Sequence, residues 1–257
     1  MAGVKIEQLS KYYTIHNEQI KALAEIDLTI PDGSFVTLVG KSGCGKTTLL
    51  RLLCGLEQPS RGQITFLDQQ QQVVQGKGRV SIVFQEPRLM PWLTVEQNMA
   101  LPLFKEKDRR RVNQTVTHFL ALLGLKKFRD AYPAQISGGM AQRVALGRTL
   151  CYDPDVILMD EPLGALDAFT RKNLQAELVD IFQTQKKTIV FVTHDVDEAV
   201  FLGQRVVILE GGKILEDVAV ALSYPRNPLQ QEFFQIREKI LTVVMGEKPT
   251  KIGGYSQ

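Results

Sequence analysis

The chain has 257 residues, 44% of them hydrophobic and 23% charged, with a formal net charge of +3; this is an ordinary globular composition, long enough to bury a large core. The charge excess is too small to argue for nucleic acid, and no stretch approaches the ~18 consecutive apolar residues of a membrane-spanning helix. The start, Met1-Ala2-Gly3-Val4-Lys5, lacks a basic-then-apolar secretion pattern, and Cys44, Cys54 and Cys151 have neither metal-ligand spacing nor an even count, so they read as reduced cytosolic thiols.

Residues 4–40 alternate apolar and polar positions around a turn at Pro31-Asp32-Gly33, which predicts β-structure. Within them, Ser34 to Val39 is an apolar run predicted as a buried strand. It leads into a Gly-rich turn at 40–45 and then a helix, Lys46 to Leu56, with Leu49, Leu50, Leu52 and Leu53 on its apolar face. A short polar run, Gln69 to Gln72, reads as a surface loop, and Val80 to Phe84 as another buried strand. From about 91 to 150 the pattern turns helical. Thr94 with Gln97 fits a capping box, the basic run Lys107 to Arg111 reads as a solvated face, and Val112 to Leu123 has helical apolar spacing. Three apolar runs follow, Val156 to Met159, Thr188 to Val192 and Arg205 to Leu209. Each predicts a buried parallel strand, with a helix from Arg171 to Gln183 between the first two. Residues 247–257 read as a frayed tail. The sum is an α/β core interrupted by a helical insertion, with no internal repeat.

Gly40-Lys41-Ser42-Gly43-Cys44-Gly45-Lys46-Thr47 fits the phosphate-loop pattern GxxxxGK[ST] in full, and the predicted strand before it and helix after it supply the required context. Glycines let successive backbone N–H groups turn inward around phosphate oxygens, and the following helix, beginning through Thr47 and Thr48, points its positive end at the same place. Lys46 is suited to bridge the β- and γ-phosphates and the Thr47 hydroxyl to ligate Mg²⁺. Such a loop serves kinases, GTPases, motors and transporter ATPases alike. Val156-Ile157-Leu158-Met159-Asp160-Glu161 narrows the field, because it delivers two carboxylates at the end of an apolar strand. Asp160 is suited to hold Mg²⁺ through water, and Glu161 to polarise an attacking water as general base. Cys44 reads either as a small loop-filling side chain or as a thiol activated by its neighbours.

Five further motifs fall in order, and together they resemble the ABC transporter ATPases over roughly residues 4–225. Ser137-Gly138-Gly139-Met140, followed by a helix from Ala141 to Leu150, looks like that family's signature loop. Gln85 looks like its Q-loop glutamine, Ala165-Leu166-Asp167 like its D-loop, and His194 in Thr193-His194-Asp195 like its switch histidine. Tyr13 sits where the family carries an aromatic that stacks on adenine. One departure stands out: Ile136-Ser137-Gly138-Gly139-Met140 replaces the usual Leu-Ser-Gly-Gly-Gln. The Ser137 hydroxyl and the Gly138 and Gly139 amides remain able to bind an anion, so a shifted rate rather than a lost one is expected of Met140.

The resemblance implies a P-loop NTPase core with a mainly parallel sheet, an N-terminal antiparallel β-subdomain, and a helical signature-motif subdomain inserted at about 87–150. The ATPase domain would span 4–235, and 236–257 would be a short C-terminal extension with a flexible tail. It implies ATP and Mg²⁺ as cofactors and a head-to-tail dimer, of two copies or two paralogues, sandwiching two ATP molecules. Residues 40–47 of one subunit would face Ser137 to Gly139 of the other. Glu161 and His194 would orient the water and sense the γ-phosphate. Gln85 would contact Mg²⁺ and report to a permease, and Asp167 would lie across the dimer boundary. Trp92, beside Leu89, Met90, Pro91 and Leu93, either forms a groove for a permease helix or packs between the two lobes.

The stretches Glu161 to Arg171 and Gln85 to Val95 look like the nitrate/sulfonate/taurine/bicarbonate importer subfamily. The implied partners are two transmembrane permease subunits and, indirectly, an extracytoplasmic substrate-binding protein, with this subunit peripheral on the cytoplasmic face of the inner membrane. Exporters and lipid-extraction complexes share the engine; only these subfamily stretches speak against them. A soluble DNA-maintenance ATPase of this type would separate its nucleotide motifs by a long coiled coil, and a translation ATPase would carry two cassettes. Here Lys46 and Asp160 are little more than a hundred residues apart in a single cassette.

Overall fold

The computed structural model describes residues 2–16, 18–68, 70, 72–74 and 78–246. The strands in chain order are β1 (Gly3–Ile15), β2 (Glu18–Ile30), β3 (Phe35–Val39), β4 (Arg61–Leu67), β5 (Val80–Val83), β6 (Val156–Asp160), β7 (Thr188–Val192), β8 (Arg205–Glu210) and β9 (Lys213–Ala219). The α-helices are α1 (Lys46–Leu53), α2 (Val95–Ala100), α3 (Arg109–Leu122), α4 (Gly138–Cys151), α5 (Ala168–Gln185), α6 (Val196–Leu202) and α7 (Gln231–Met245).

Side-chain alternation explains why the central strands are apolar throughout. In β3, β6 and β7, Val36, Leu38, Val156, Leu158, Val190 and Val192 enter one core. Phe35, Ile157, Met159, Ile189 and Phe191 enter another on the opposite face. A strand with cores on both faces has no solvated positions to fill with polar residues. Burying one Phe or Leu side chain contributes about 1.5–3 kcal/mol, so these short strands hold the site firmly. The sheet order is β5-β6-β7-β3-β8-β9. All neighbours in it are parallel except the antiparallel pair β8 and β9.

A second sheet, ordered β2-β1-β4 and antiparallel, packs over α1. Ile6, Leu9, Leu23 and Ile26 from this sheet share a core with Leu49, Leu50 and Leu53 of α1. On the other side of the central sheet, α2, α3 and α4 join its opposite core through Met99, Phe119, Leu123 and Val144. The expected capping box at the start of α2 is present: the Thr94 side chain accepts from the Gln97 N–H, and the Gln97 side chain accepts from the Thr94 N–H.

Element boundaries moved in understandable ways. The first helix ends at Leu53, not Leu56, because the αL Gly55 follows and the Leu56 and Glu57 N–H groups turn back to the Arg51 carbonyl. The signature helix begins at Gly138 rather than Ala141, since Ser137 caps it. The 235/236 position lies inside α7, where Phe233 and Ile240, on either side of it, share one core with β8 and α6. Two of the glutamines in the Gln69 to Gln72 run, and the tail 247–257, lie outside the described residues.

Candidate functional site

Parallel strands all discharge their loops at the same edge of the sheet, and four of those loops carry the candidate residues. Gly40–Gly45 follows β3, Gln85 follows β5, Glu161–Asp167 follows β6 and Thr193–Asp195 follows β7. Because β7 lies between β6 and β3, the carboxylates, the histidine and the phosphate loop arrive side by side.

The loop after β3 must be glycine-rich for space as well as for dihedrals. A Cβ on Gly40 would lie 2.2 Å from the Leu209 carbonyl oxygen, and one on Gly45, at φ 106°, would lie 2.7 Å from the Ala22 carbonyl oxygen. Lys41, Ser42 and Gly43 are exposed at the rim, whereas Cys44 is buried with its Sγ 3.8 Å from the Lys46 ammonium. Its place is that of a loop-filling side chain. Lys46 is only 6% exposed. Its ammonium donates to the Gly40 carbonyl at 2.7 Å and the Lys41 carbonyl at 3.1 Å, so it braces the loop that it would serve. Tyr13, half-buried on β1, donates its hydroxyl to Glu57, lies near Thr48 and has the Lys11 ammonium 5.1 Å above its ring. The Tyr13–Glu57 bond holds the Glu57 carboxyl below the usual carboxylate range.

At the start of α1, the Thr47 hydroxyl donates to Asp160 Oδ1 at 3.2 Å. Burial raises the Asp160 carboxyl and the neighbouring Glu161 charge adds to that, while the Thr47 bond opposes it. A partly buried carboxylate beside a hydroxyl and a second carboxylate is an oxygen-rich, electron-rich corner. Among the described residues no three His, Cys, Asp or Glu side chains form a metal cage. That donor set suits a small hard cation that keeps waters and takes its remaining ligands from phosphate.

Glu161 sits at φ +46°, unusual for a residue with a Cβ. The turn is held by its N–H to the Val192 carbonyl at 3.0 Å and by the Gly164 N–H to its own carbonyl at 3.1 Å. The effect is to swing the carboxylate toward β7, where Glu161 Oε2 lies 3.2 Å from His194 Nδ1. The His194 ring is otherwise exposed. Chemically, a carboxylate and an imidazole in contact beside a phosphate loop can hold and polarise a water.

Gln85 reaches the same edge but not the carboxylate: its Nε2 lies beside Gly164, 3.4 Å from where a Cβ would be. Asp167 accepts from the Phe169 and Thr170 N–H groups, both at 3.0 Å, and caps α5. The Thr170 side chain first, and then these N–H groups, hold its carboxyl below the usual range. Ser137 is exposed and accepts from the Met140 N–H at 3.3 Å, capping α4. Gly138 is also exposed, and a Cβ on Gly139 would lie 2.5 Å from Thr170 Cγ2. The structure therefore brings together Lys46, Thr47, Asp160, Glu161 and His194, and among the described residues no hydrogen bond ties 137–139 to that group.

Met140 packs against the helical core rather than standing in for a surface amide. Trp92, 70% exposed, does not pack between the lobes. Sequence reading passed over Arg171, Gln175 and Glu198, which lie behind the site; the only signal was spacing, Arg171 four residues after Asp167 and Glu198 four after His194.

The sequence pattern defining the family described as "ABC transporter" matches residues 23–164. An uncharacterised ABC transporter ATP-binding protein of Methanocaldococcus jannaschii is 45% identical over 247 residues, 95% of this chain and 92% of that protein. The aliphatic sulfonates import ATP-binding protein SsuB of Bacillus subtilis (strain 168) is 43% identical over 243 residues, 93% of each chain. Among solved structures, a dimeric ATP-binding cassette in a post-hydrolysis state, bound to ADP and Pi, superposes with a TM-score of 0.74 at 30% identity, covering 86% of this chain and all of that one.

Proposed function

The chain belongs to the ABC transporter family as an ATP-binding ATPase, and on that premise we propose that it couples MgATP hydrolysis, in a head-to-tail dimer, to solute uptake through separate permease subunits. The observation that carries the reading is the asymmetry of the site. On one side Thr47 bonds Asp160, Glu161 contacts His194, and Lys46 braces the loop beside them. The helix start at Ser137 to Gly139 exposes Ser137 and Gly138, and among the described residues its hydrogen bonds stay within its own helix. A second copy turned head to tail supplies each half with the other.

In this reading the amides of Gly40 to Thr48 cradle the phosphates, the Lys46 ammonium moves from its loop carbonyls to the β- and γ-phosphates, and Tyr13 stacks on the adenine. Thr47 and Asp160 would hold Mg²⁺, with Gln85 approaching when the loop beside Gly164 moves. The cation, when bound, neutralises charge on the phosphate oxygens. Glu161 accepts the proton of the attacking water as general base, and His194 orients it and senses the γ-phosphate. From the other subunit, the Ser137 hydroxyl and the Gly138 and Gly139 amides reach the γ-phosphate, and Asp167 meets the boundary. Hydrolysis removes the phosphate that joins the halves, and the dimer opens.

The exposed Trp92 with Pro91, ahead of α2 and just after Gln85, supports a permease-docking role for this edge. Among the described residues no helix is long and apolar enough to cross a membrane, so a permease supplied by other chains, with this subunit peripheral on its cytoplasmic side, fits the reading. Likeness to the aliphatic sulfonates import proteins supports a small organic anion as the solute, captured outside by a binding protein. The deciding experiment measures MgATP hydrolysis and ATP-dependent dimerisation of wild type, Glu161→Gln and Ser137→Ala. Turnover nearly abolished in Glu161→Gln, with a dimer locked by ATP, and reduced roughly ten- to a hundredfold in Ser137→Ala, is expected. Turnover by a persistent monomer, indifferent to Ser137→Ala, would overturn the shared-site reading.

A further inference from the structure

Behind the Glu161–His194 pair lies a cavity of about 20 Å³ walled by Glu161, Gly164, Arg171, Thr193, His194 and Glu198. That is room for one water, which needs about 10–15 Å³ of such space. Of its charged lining residues, Glu161, Arg171, Asp195 and Glu198, two come from within different helices, Arg171 from α5 and Glu198 from α6. Arg171, on α5, donates from Nη2 to the Leu166 carbonyl at 2.9 Å, gripping the loop that ends at Asp167. Its Nε is buried and has no hydrogen-bond partner among the described residues. Glu198, on α6, is 5% exposed and accepts from Gln175 Nε2 at 3.0 Å. Thr193 also faces this carboxylate, and its hydroxyl accepts from the Asp195 N–H at 3.0 Å, folding the loop that carries His194.

Burial raises the Glu198 carboxyl, opposed by Thr193, Gln175 and the Arg171 charge, while Asp195 adds to the rise. Such a group is kept in a core only when its lone pairs are met. Arg171 and Glu198 attract one another, yet no direct ion pair joins them among the described residues. Arg171, with a buried Nε that lacks a partner among the described residues, and Glu198, a buried acceptor, line the same space of one water, so a single water can complete a polar joint between them.

We propose that Arg171 and Glu198 are positioning residues for hydrolysis: linked through one water in this cavity, they lock the loop ending at Asp167 to the loop carrying His194 and so set His194 against Glu161. The inference rests on the reading of Glu161 and His194 as the hydrolytic pair. It gives α5 a mechanical task. The helix is tied to the signature helix α4 by Arg143 and Glu177 at 2.7 Å and to α6 by Gln175 and Glu198, so a partner pressing on either loop shifts both.

The test uses the full chain with Glu198→Ala, Glu198→Gln, Arg171→Gln and the double variant Arg171→Gln/Glu198→Ala, with Glu161→Gln in the same assay. Turnover, KM, affinity for a non-hydrolysable ATP analogue and circular dichroism are measured for each. Glu198→Ala and Arg171→Gln should each lower kcat roughly tenfold or more, since misplacing a reacting group by a fraction of an ångström is enough. Analogue affinity should stay within about twofold, and the double variant should be no worse than the poorer single, as expected for one joint. Glu198→Gln, which keeps the shape and the bond to Gln175, should recover most of the rate. Additive losses, a loss confined to nucleotide affinity, or unchanged turnover overturn the proposal. Should Glu198→Ala lose its fold, Arg171→Gln and Glu198→Gln decide between the same results. A dead Glu161→Gln beside normal Arg171 and Glu198 variants removes this inference alone; normal turnover in Glu161→Gln removes the base assignment beneath it.

Discussion

Two regions of this molecule carry helix starts whose chemistry suits an anion, and they are built in opposite ways. At the start of α1 the loop is braced by Lys46, Thr47 is bonded to Asp160, and Glu161 contacts His194 one strand away. At the start of α4, among the described residues the Ser137 hydroxyl accepts from the Met140 N–H and the Ser137 carbonyl from the Ala141 N–H, both of its own helix, and a Cβ on Gly138 would meet nothing within 4 Å. The first region is preorganised by strands buried on both faces; the second is a rigid helix end pointing at open space. The difference supports the proposed shared site, in which burial and bonding mark the half that the chain would complete alone and exposure of similar chemistry marks the half that would need another surface.

Substitutions on the two sides should therefore fail differently. Glu161→Gln should have the largest effect, a loss of about 10²–10⁴ in turnover typical of a removed general base, with ATP binding intact by equilibrium titration. Normal turnover there would dissolve the first region's claim to the chemistry. Ser137→Ala comes next. Losing a hydrogen bond to a charged phosphate costs about 1.5–3 kcal/mol, or roughly ten- to a hundredfold in kcat/KM, and the defect should appear only under conditions where dimers form. An equal defect in monomers would mean that Ser137 acts within its own chain.

Gly139→Ala probes how the second region is seated. The added Cβ would press on Thr170 Cγ2, an overpacking worth about 1–3 kcal/mol, visible as a lowered Tm. Thr170→Ser, which removes that methyl, should restore it; a Tm indifferent to both changes would show that the contact carries no load. Smallest should be Met140→Gln and Trp92→Ala. Met140 is seated against the helical core, so its replacement should change ATPase rates modestly; a dead wild type revived by glutamine would mean that the departure matters far more. Trp92 is exposed, and surface substitutions stay within about 0.5 kcal/mol. Its variant should hydrolyse ATP normally yet fail to co-purify with permease.

Much of this was legible in the residues. The phosphate loop, the apolar strand ending in Asp160-Glu161 and the order of the later motifs announce themselves because phosphate chemistry needs particular residue types at fixed spacing along one chain. β7, Thr188–Val192, was readable to the residue, since a strand buried on both faces is an unbroken apolar run. Other things were not. Trp92 could belong to a groove or to a core until the helices around it were in place, because an apolar side chain looks alike in either setting. Which way the Gln85 side chain turns was not legible either; it stands beside Gly164, a matter of how the loop folds.

Arg171 and Glu198 illustrate the limit best. The predicted helix from Arg171 carries one of them and no reading of the sequence singled out the other; that both line one cavity depends on how α5 and α6 pack. By itself the sequence determined the chemistry available: which side chains, on which strand ends, next to which glycines. Only the tertiary structure decided which of them meet, since the sheet order β6-β7-β3 brings Glu161 to His194 and Asp160 to Thr47 across long stretches of chain. Local patterns report what a residue prefers, whereas contact across the fold is set by the packing of every element between.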